Sequence, residues 1–375
     1  VSEWRKCKLS DVAVKFAMGP FGSNIKAENF TNTGVPVIRG TNLNYYRYVD
    51  GKFVYLTEEK ANQLKSSNCF SGDIVVTHRG TLGQVGLIPF GKFDRYVISQ
   101  SGMKVTVNPK FLDSNFLLYF FKSNIGQNEL LQHESQVGVP SISNPLTSLK
   151  SVSLNLPPIE EQKAIASVLS SLDDKIDLLH RQNKTLEAMV ETLFRQWFVK
   201  ESGNWEEGIL GDVLELIYGK ALKEDLRTGS GYPVVGSSGI VGHHAEYLVE
   251  GPGIVIGRKG TLGKVTYLFE NFFPIDTTYY IKSKVNSAGM LYEYCLLKTL
   301  SFENSDSAVP GLNRDIALSE EIKIPSQNLI EEFNDICTGF FSKMKININQ
   351  ISTLETLRDT LLPKLMSGEV RVDYP

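Results

Sequence analysis

The sequence repeats itself, and each repeat ends in a long helical seam. Trp4 is followed by Leu9-Ser10-Asp11-Val12, and Trp205 by Leu210-Gly211-Asp212-Val213. The string GTLG occurs at 80–83 and again at 260–263. Val139-Pro140 is echoed by Val309-Pro310, and Leu156-Pro157 by Ile324-Pro325. In the first copy apolar residues then fall at alternating steps of four and three: Ile165, Leu169, Leu172, Ile176, Leu179, Leu186, Val190, Leu193 and Trp197, with Asn183 the polar member. In the second they are Phe333, Cys337, Phe340, Met344, Ile351, Leu354, Leu361 and Leu365, interrupted by Asn347 and Arg358. So narrow a stripe is a coiled-coil seam rather than the broader face of a surface helix. A duplication of this length predicts two similar units, each with its own core.

Pro157 and Pro158 suit a first helical turn, where the missing N–H would have had no partner, and Glu160 and Glu161 complement the positive end of the helix dipole. Asn328 with Glu331 predicts a capping-box start for the second helix, and Gly368 predicts its end. At about 1.5 Å per residue, about 40 residues make a rod roughly 60 Å long. Such rods cannot leave their seams in water, so they are predicted to pack on each other. If a pseudo-two-fold axis relates the copies, the rods run antiparallel. Asn183 then faces Asn347, a buried polar pair that would set helix–helix register at some cost in stability. The alternative is that each asparagine faces solvent.

Val35-Pro36-Val37-Ile38, Asp73-Ile74-Val75-Val76-Thr77 and Met103-Lys104-Val105-Thr106-Val107 read as strands, and 115–122 as a short helix. The predicted class is α+β: two similar mixed α/β domains joined by two long antiparallel coiled-coil helices in a pseudo-two-fold internal repeat. The expected boundaries are a first globular domain at 1–156, a spacer helix at 157–200, a second domain at 201–324, and a second helix with its tail at 325–375.

Composition narrows the function. The formal net charge is −3, but it is unevenly spread. Residues 1–156 carry a net +6 and residues 201–324 a net −6. Only the first unit has the overall charge of a phosphate binder. The second must rely on local clusters such as Arg258-Lys259 and Lys220 with Lys223. Cys7, Cys69, Cys295 and Cys337 are far apart and form no C-x-x-C, which predicts free thiols in a reducing compartment. No signal-peptide core follows Val1, and no stretch approaches the roughly 18 apolar residues of a membrane span. A cytoplasmic location without membrane association is expected.

Catalytic and metal patterns are missing. Residues 257–264 resemble a P-loop, but Arg258 and Val265 stand where glycine and a hydroxyl residue are needed. His78, His133, His180, His243 and His244 form no ligand set, so no metal site is predicted. Asn144-Pro145-Leu146 lacks the N-P-P-aromatic pattern of an adenine methyltransferase, and no nucleophile elbow occurs. The chain is therefore expected to be non-catalytic and to hold no cofactor of its own.

What remains is a set of short polar loops, the usual place for recognition. A basic pair precedes GTLG in each copy, His78-Arg79 and Arg258-Lys259, followed by Thr81 and Thr261. Arginine can bond guanine bidentately or clamp a phosphate. Gly19, Ser23, Asn24 and Lys26 form a second loop whose counterpart contains Lys220, and glycine N–H groups there could approach a phosphate. Arg39, Thr41 and Asn42 match Ser237 and Ser238, with His243 nearby. Gln136, Ser141 and Asn144 parallel Asn313 and Arg314. Together these are the candidate DNA-binding residues.

The stretches GPFGSNIKAENFTNTGVPVIRG (19–40), GDIVVTHRGTLGQVGLIP (72–89) and LPPIEEQKAIASVL (156–169) resemble recurring signatures of the specificity subunits of type I restriction–modification systems, and the resemblance covers nearly the whole chain. It implies two target-recognition domains, each binding one half of a split, asymmetric site in double-stranded DNA. It also implies helices that space them and dock two methyltransferase (modification) subunits, and motor-nuclease (restriction) subunits as further partners. S-adenosylmethionine, ATP and Mg²⁺ would belong to those partners. IPSQNLIEEF (324–333) departs from the pattern by losing the proline pair and the Glu-Glu-Gln of the first copy. Two other readings stand beside this one: a single-chain enzyme, which would need the motifs that are missing, and a coiled-coil scaffold binding only proteins, which the acidic second unit favours.

Overall fold

The computed structural model describes residues 4–21, 24–43, 47–135, 138–200, 205–285, 288–302 and 311–373. The chain divides into two compact units, Val1–Leu178 with Ile351–Pro375, and Leu179–Gln350.

In the first unit the strands β1 (Ala13–Met18), β2 (Ile74–Thr77), β3 (Val85–Leu87) and β4 (Gly102–Val107) form an antiparallel sheet in the order β1-β4-β2-β3. Every residue of β2 is buried. Alternation explains why: successive side chains point to opposite faces, and both faces are covered. Ile74 and Val76 join a core with Phe116, Leu117 and Phe120 of the helix Ser114–Lys122. Val75 joins a separate core with Ile38, Cys69, Tyr96 and Ile98. Those residues belong to a second sheet in the order Val54–Leu56, Val35–Ile38, Tyr96–Ile98, Asn68–Cys69, whose central pair is parallel. A further ladder, Arg5–Lys8 against Ser153–Leu156, pairs the start of the globular part with its end.

The second unit is built to the same plan. Strands β5 (Leu214–Tyr218), β6 (Gly253–Gly257), β7 (Val265–Leu268) and β8 (Thr278–Ser283) pair in the order β5-β8-β6-β7. Ile254 and Ile256 face one core, with Leu291 and Leu297 of the helix Leu291–Thr299. Val255 faces another, with Val235, Leu268 and Phe272. The second sheet is smaller, with the order Gly239–His244, Tyr232–Gly236, Phe273–Pro274, and it keeps the parallel pairing between the last two strands. Glu206–Ile209 pairs with Glu321–Ile324, the counterpart of the closing ladder.

The first long helix spans Ile159–Phe194 and continues through a π-helical turn, Arg195–Lys200. The second spans Gln327–Ser367. Leu329 and Ile330 donate their N–H groups to the Ser326 carbonyl, so the second helix is capped at Ser326 and not at Asn328, which lies inside its first turn. Gly368 follows its last residue with φ of 78°, a left-handed conformation that glycine adopts without penalty.

All the seam positions of both helices are buried or half-buried. In the first unit Ile165 and Leu169 share a core with Leu362, Leu365 and Met366, Glu161 accepts from Arg371 (2.6 Å to Nη2), and Arg358 meets Asp173 at 3.2 Å. In the second unit Val190, Phe194 and Phe198 share a core with Phe333, Cys337 and Phe341, and Asn347 donates to Asn183 at 2.7 Å. Within each unit, rising numbers on one helix meet falling numbers on the other, so the helix segments run antiparallel. Among the described residues no helix is long and apolar enough to cross a membrane.

Candidate nucleic-acid interface

The β2–β3 hairpin ends in the first GTLG, and backbone bonds hold its tip from two sides. His78 donates its N–H to Ser101 (2.9 Å), Gly80 donates to Pro140 (2.9 Å), and the His78 carbonyl accepts from Ile142 (2.9 Å). Arg79 bridges to Ser141. Gly80 and Gly83 have φ of 84° and 71°, so the turn requires glycine at both positions. The tip closes over a cleft of about 360 Å³ lined by Arg39, Gly40, Thr41, Thr77, Arg79, Thr81, Gln84 and Ser101. Four of the candidates, Arg39, Thr41, Arg79 and Thr81, are thus gathered around one polar opening, all exposed. A neighbouring cleft of about 340 Å³ shares Arg39 and Ser101 and adds Pro20, Ile25, Phe30, Val37, Ser99 and Gln100. Guanidinium and hydroxyl groups around an open cleft can bind phosphate oxygens and donate to base edges.

The β6–β7 tip is held in the same manner. Arg258 donates its N–H to Thr277 (2.9 Å) and accepts from Leu312 (2.9 Å), and Lys259 bridges to Gly311. Gly260 and Gly263 again have positive φ, 81° and 67°. The Arg258 guanidinium lies 4.9 Å from the Tyr218 ring centre and 5.7 Å from that of Tyr279, and Arg314 lies 5.6 Å from Tyr218. Cations over aromatic faces are attracted by the ring quadrupole, so the rings fix two arginines at one edge of the sheet. Burial, with Tyr218 alongside, pushes the Tyr279 phenol up to about 12, and it stays protonated to donate to the Leu312 carbonyl at 3.0 Å. Lys259 and Thr261 are exposed at the tip. Ser237 sits against it, with its hydroxyl 3.3 Å from where a side chain on Gly260 would begin. The Ser238 carbonyl accepts from Lys264. Lys220 and His243 are exposed.

Several candidates are placed otherwise than their loops suggested. His78 is 7% exposed. Burial holds its pKa below the usual histidine value and favours the neutral imidazole. Asn42 is 1% exposed. It accepts from the Arg39 N–H (3.0 Å) and donates to the Asp50 and Lys52 carbonyls (3.0 and 3.1 Å), so it braces the loop that carries Arg39. The Gly19 N–H donates to Gly102 and the Gly219 N–H to Thr278, which removes both as phosphate donors. A Cβ on Gly19 would fall 1.8 Å from the Ser99 carbonyl oxygen, so the glycine is there for close backbone packing.

Asn144 adopts a left-handed conformation ahead of the helix Pro145–Ser151. Asn313 caps the helix Arg314–Leu318 by accepting from Asp315 (2.9 Å) and Ile316 (3.2 Å). Asn24 and Lys26 are exposed, and Lys26 lies 3.6 Å from Glu28. Ser23 and Gln136 fall outside the described residues. Gln84 and Ser101 carry no local signal in the sequence, whereas Tyr218 lies in the loop that contains Lys220 without being one of the candidate contacts.

The sequence matches the family described as "Type I restriction modification DNA specificity domain" over residues 1–188 and 202–356. Among curated proteins it is similar to the type I restriction enzyme MjaIX specificity subunit of Methanocaldococcus jannaschii, 26% identical over 418 residues that cover 99% of this chain and 94% of that one. It is also similar to the HindI specificity subunit of Haemophilus influenzae, 36% identical over 108 residues that cover 28% of this chain and 23% of that one. Among solved structures, the S subunit of a type I restriction–modification system from M. genitalium shares the fold, with a TM-score of 0.61, 21% identity, and coverage of 99% and 97% of the two chains. With two copies of the matching domain spanning most of its length, the chain belongs to the type I restriction–modification DNA specificity family.

Proposed function

We propose that this chain is the DNA-recognition subunit of a type I restriction–modification complex, and that each globular unit reads one half of a bipartite, asymmetric site. The observation that carries this reading is the duplicated clasp: one pattern of backbone bonds holds two hairpin tips, each surrounded by exposed cations and hydroxyls. Phosphate contacts from such groups set position, and base-edge contacts in the major groove supply specificity. The recognition domains are taken as 1–156 and 201–324. The helical segments 157–200 and 325–375 act as the ruler between them and as the docking surface for two methyltransferase subunits, with motor-nuclease subunits completing the assembly. The chain itself positions DNA and performs no reaction. Methyl transfer to adenine N6 with S-adenosylmethionine, and ATP- and Mg²⁺-dependent cleavage, belong to the partners, and the complex works on DNA in the cytoplasm.

The test is methylation mapping in a host that carries the complete system. Replacing residues 1–156 with those of another specificity subunit changes one half-site and leaves the other unchanged. Inserting four residues into each helix adds about 6 Å, near two base pairs at about 3.4 Å each, and widens the unread spacer alone. Altered half-sites with an unchanged spacer after that insertion would refute the ruler. The net −6 of residues 201–324 favours a second reading, a scaffold that binds only proteins. A salt-dependent gel shift on mixed-sequence DNA, with and without the modification subunit, separates the two, because only a phosphate binder loses affinity steeply with salt.

A further inference from the structure

The backbone bonds of the two units correspond at a position that no shared residue marks. In the first unit the turn after the strand Tyr96–Ile98 is Ser99-Gln100-Ser101. Ser99 donates to Ile38 (2.9 Å), Gly102 to Ser99 (3.0 Å), and His78 to Ser101 (2.9 Å). In the second unit the turn after Phe273–Pro274 is Ile275-Asp276-Thr277. Ile275 donates to Val235 (2.9 Å), Thr278 to Ile275 (3.0 Å), and Arg258 to Thr277 (2.9 Å). The same glycine contact backs both turns, Gly19 on Ser99 and Gly219 on Ile275. Gln100 and Asp276 are therefore equivalent, and both are exposed.

Each stands next to the cations of its own unit. Gln100 lines a cleft with Arg39, and the Asp276 carbonyl accepts from the Arg258 guanidinium at 3.0 Å. Among the described residues neither side chain hydrogen-bonds another group.

We propose that Gln100 and Asp276 are the specificity-determining residues that make the two units read different bases, Gln100 an adenine and Asp276 a cytosine. A carboxamide offers one donor face and one acceptor face, which match N7 and the N6 amino group of adenine in the major groove. A carboxylate only accepts, which matches the N4 amino group of cytosine and is repelled by the O6 and N7 acceptors of guanine. The neighbouring arginines offset the repulsion between Asp276 and the phosphates. The inference rests on the DNA-recognition reading above.

Two isosteric substitutions test it in the complete complex, Gln100→Glu and Asp276→Asn, with adenine-methylation mapping as the readout. Gln100→Glu replaces adenine by cytosine at one position of one half-site, and Asp276→Asn replaces cytosine by adenine at one position of the other. Each variant binds the original duplex roughly 5- to 150-fold more weakly, the cost of one mismatched edge contact. A wild-type complex with no bipartite motif refutes the DNA-recognition reading itself. A wild-type bipartite motif that both variants retain unchanged, with unchanged affinity, overturns this assignment and leaves that reading standing.

Discussion

The hairpin tips of the two units are held by the same backbone bonds, whereas the seats of the two units on the long helices are composed differently. In the first unit an aliphatic core that includes Ile165 and Leu169 is bordered by a polar network. Tyr119 donates to Asp173 at 2.6 Å, Asp173 meets Arg358 at 3.2 Å, and the Arg47 guanidinium reaches Asp174 at 2.7 Å and Asn115 at 3.0 Å. In the second the core is aromatic, and the polar border is smaller, with Glu187 accepting from Tyr294 at 2.6 Å and meeting Lys298 at 2.7 Å. Phe194, Phe198, Tyr292 and Phe333 pack with ring centres 5.0–5.8 Å apart, and Tyr267, Tyr294 and Phe341 form a second group. A main-chain pattern survives any side chain that tolerates it. A packed seat needs only mutual complementarity, and ion networks and rings are two solutions. Divergence is thus free where partners change together and restricted where the backbone itself makes the contact.

The largest expected effect contrasts the seats directly. Phe333→Ala should cost about 3–5 kcal/mol by opening a cavity among rings. Asp173→Ala should cost about 1–3 kcal/mol by leaving the buried Tyr119 hydroxyl without its acceptor and Arg358 with the exposed Asp359. Denaturant unfolding measures both. Only the polar network should accept wholesale replacement: Asp173→Leu with Arg358→Met and Tyr119→Phe, which removes the hydroxyl that would lose its acceptor, should recover the loss or exceed it. A triple variant as unstable as Asp173→Ala would break the comparison. The shared clasp makes the next prediction. Gly19→Ala and Gly219→Ala should each cost about 1–3 kcal/mol, because their Cβ atoms would fall 1.8 and 2.2 Å from carbonyl oxygens. A tolerated substitution in one unit alone would show that the clasps differ.

Smaller still is the asparagine pair. A double-mutant cycle on Asn183→Ala and Asn347→Ala should return a coupling of about 0.5–1.5 kcal/mol, and no coupling would leave the pair without a register role. Further effects are in pH. Burial pushes the Glu187 carboxyl up, but hydrogen bonds from Lys298 and Tyr294 outweigh it and hold the group below the usual glutamate value. Its contribution to the second unit is therefore complete above the unfolded pKa and lost as pH falls through the lower folded value. Glu187→Gln should flatten that acid limb. Burial lowers Lys122 in the first unit to about 8 from 10.5. Between those values the unfolded chain holds a proton on Lys122 that the folded chain has released, so this group contributes stability that rises with pH, against the buried Cys69, Cys295 and Cys337 thiols, whose raised pKa makes stability fall. Lys122→Met should therefore steepen the alkaline loss of stability, as followed by thermal unfolding.

The long helices were readable because their period repeats over many turns and any one misplaced residue is outvoted. Asn183 and Asn347 stood out as polar breaks in an apolar series. Arg358 stood out too, but its partner Asp173 lies off the seam and Tyr119 comes from a distant helix, so no local pattern could join them. The loop residues were harder. A buried asparagine that braces a turn, such as Asn42, and an exposed one have the same neighbours in sequence. A glycine that admits a phosphate reads the same as one that admits another backbone, which is why Gly19 was misplaced. Gln100 and Asp276 share no flanking residue, and only hydrogen-bond partners reveal that they correspond.

The closing ladders have a consequence for how such a molecule can vary. Arg5 lies opposite Leu156, and Glu206 opposite Ile324, so the chain enters and leaves each globular unit through adjacent positions, about 5 Å apart as in any antiparallel pair. Whatever is spliced in between those stitches grows or shrinks without tugging on the thread beyond them. The first unit carries a helix, Glu58–Gln63, and an edge strand, Asn68–Cys69, between its Val35–Ile38 and β2 strands. The corresponding stretch of the second runs through the hairpin strand Gly239–His244, yet both close on the same stitch.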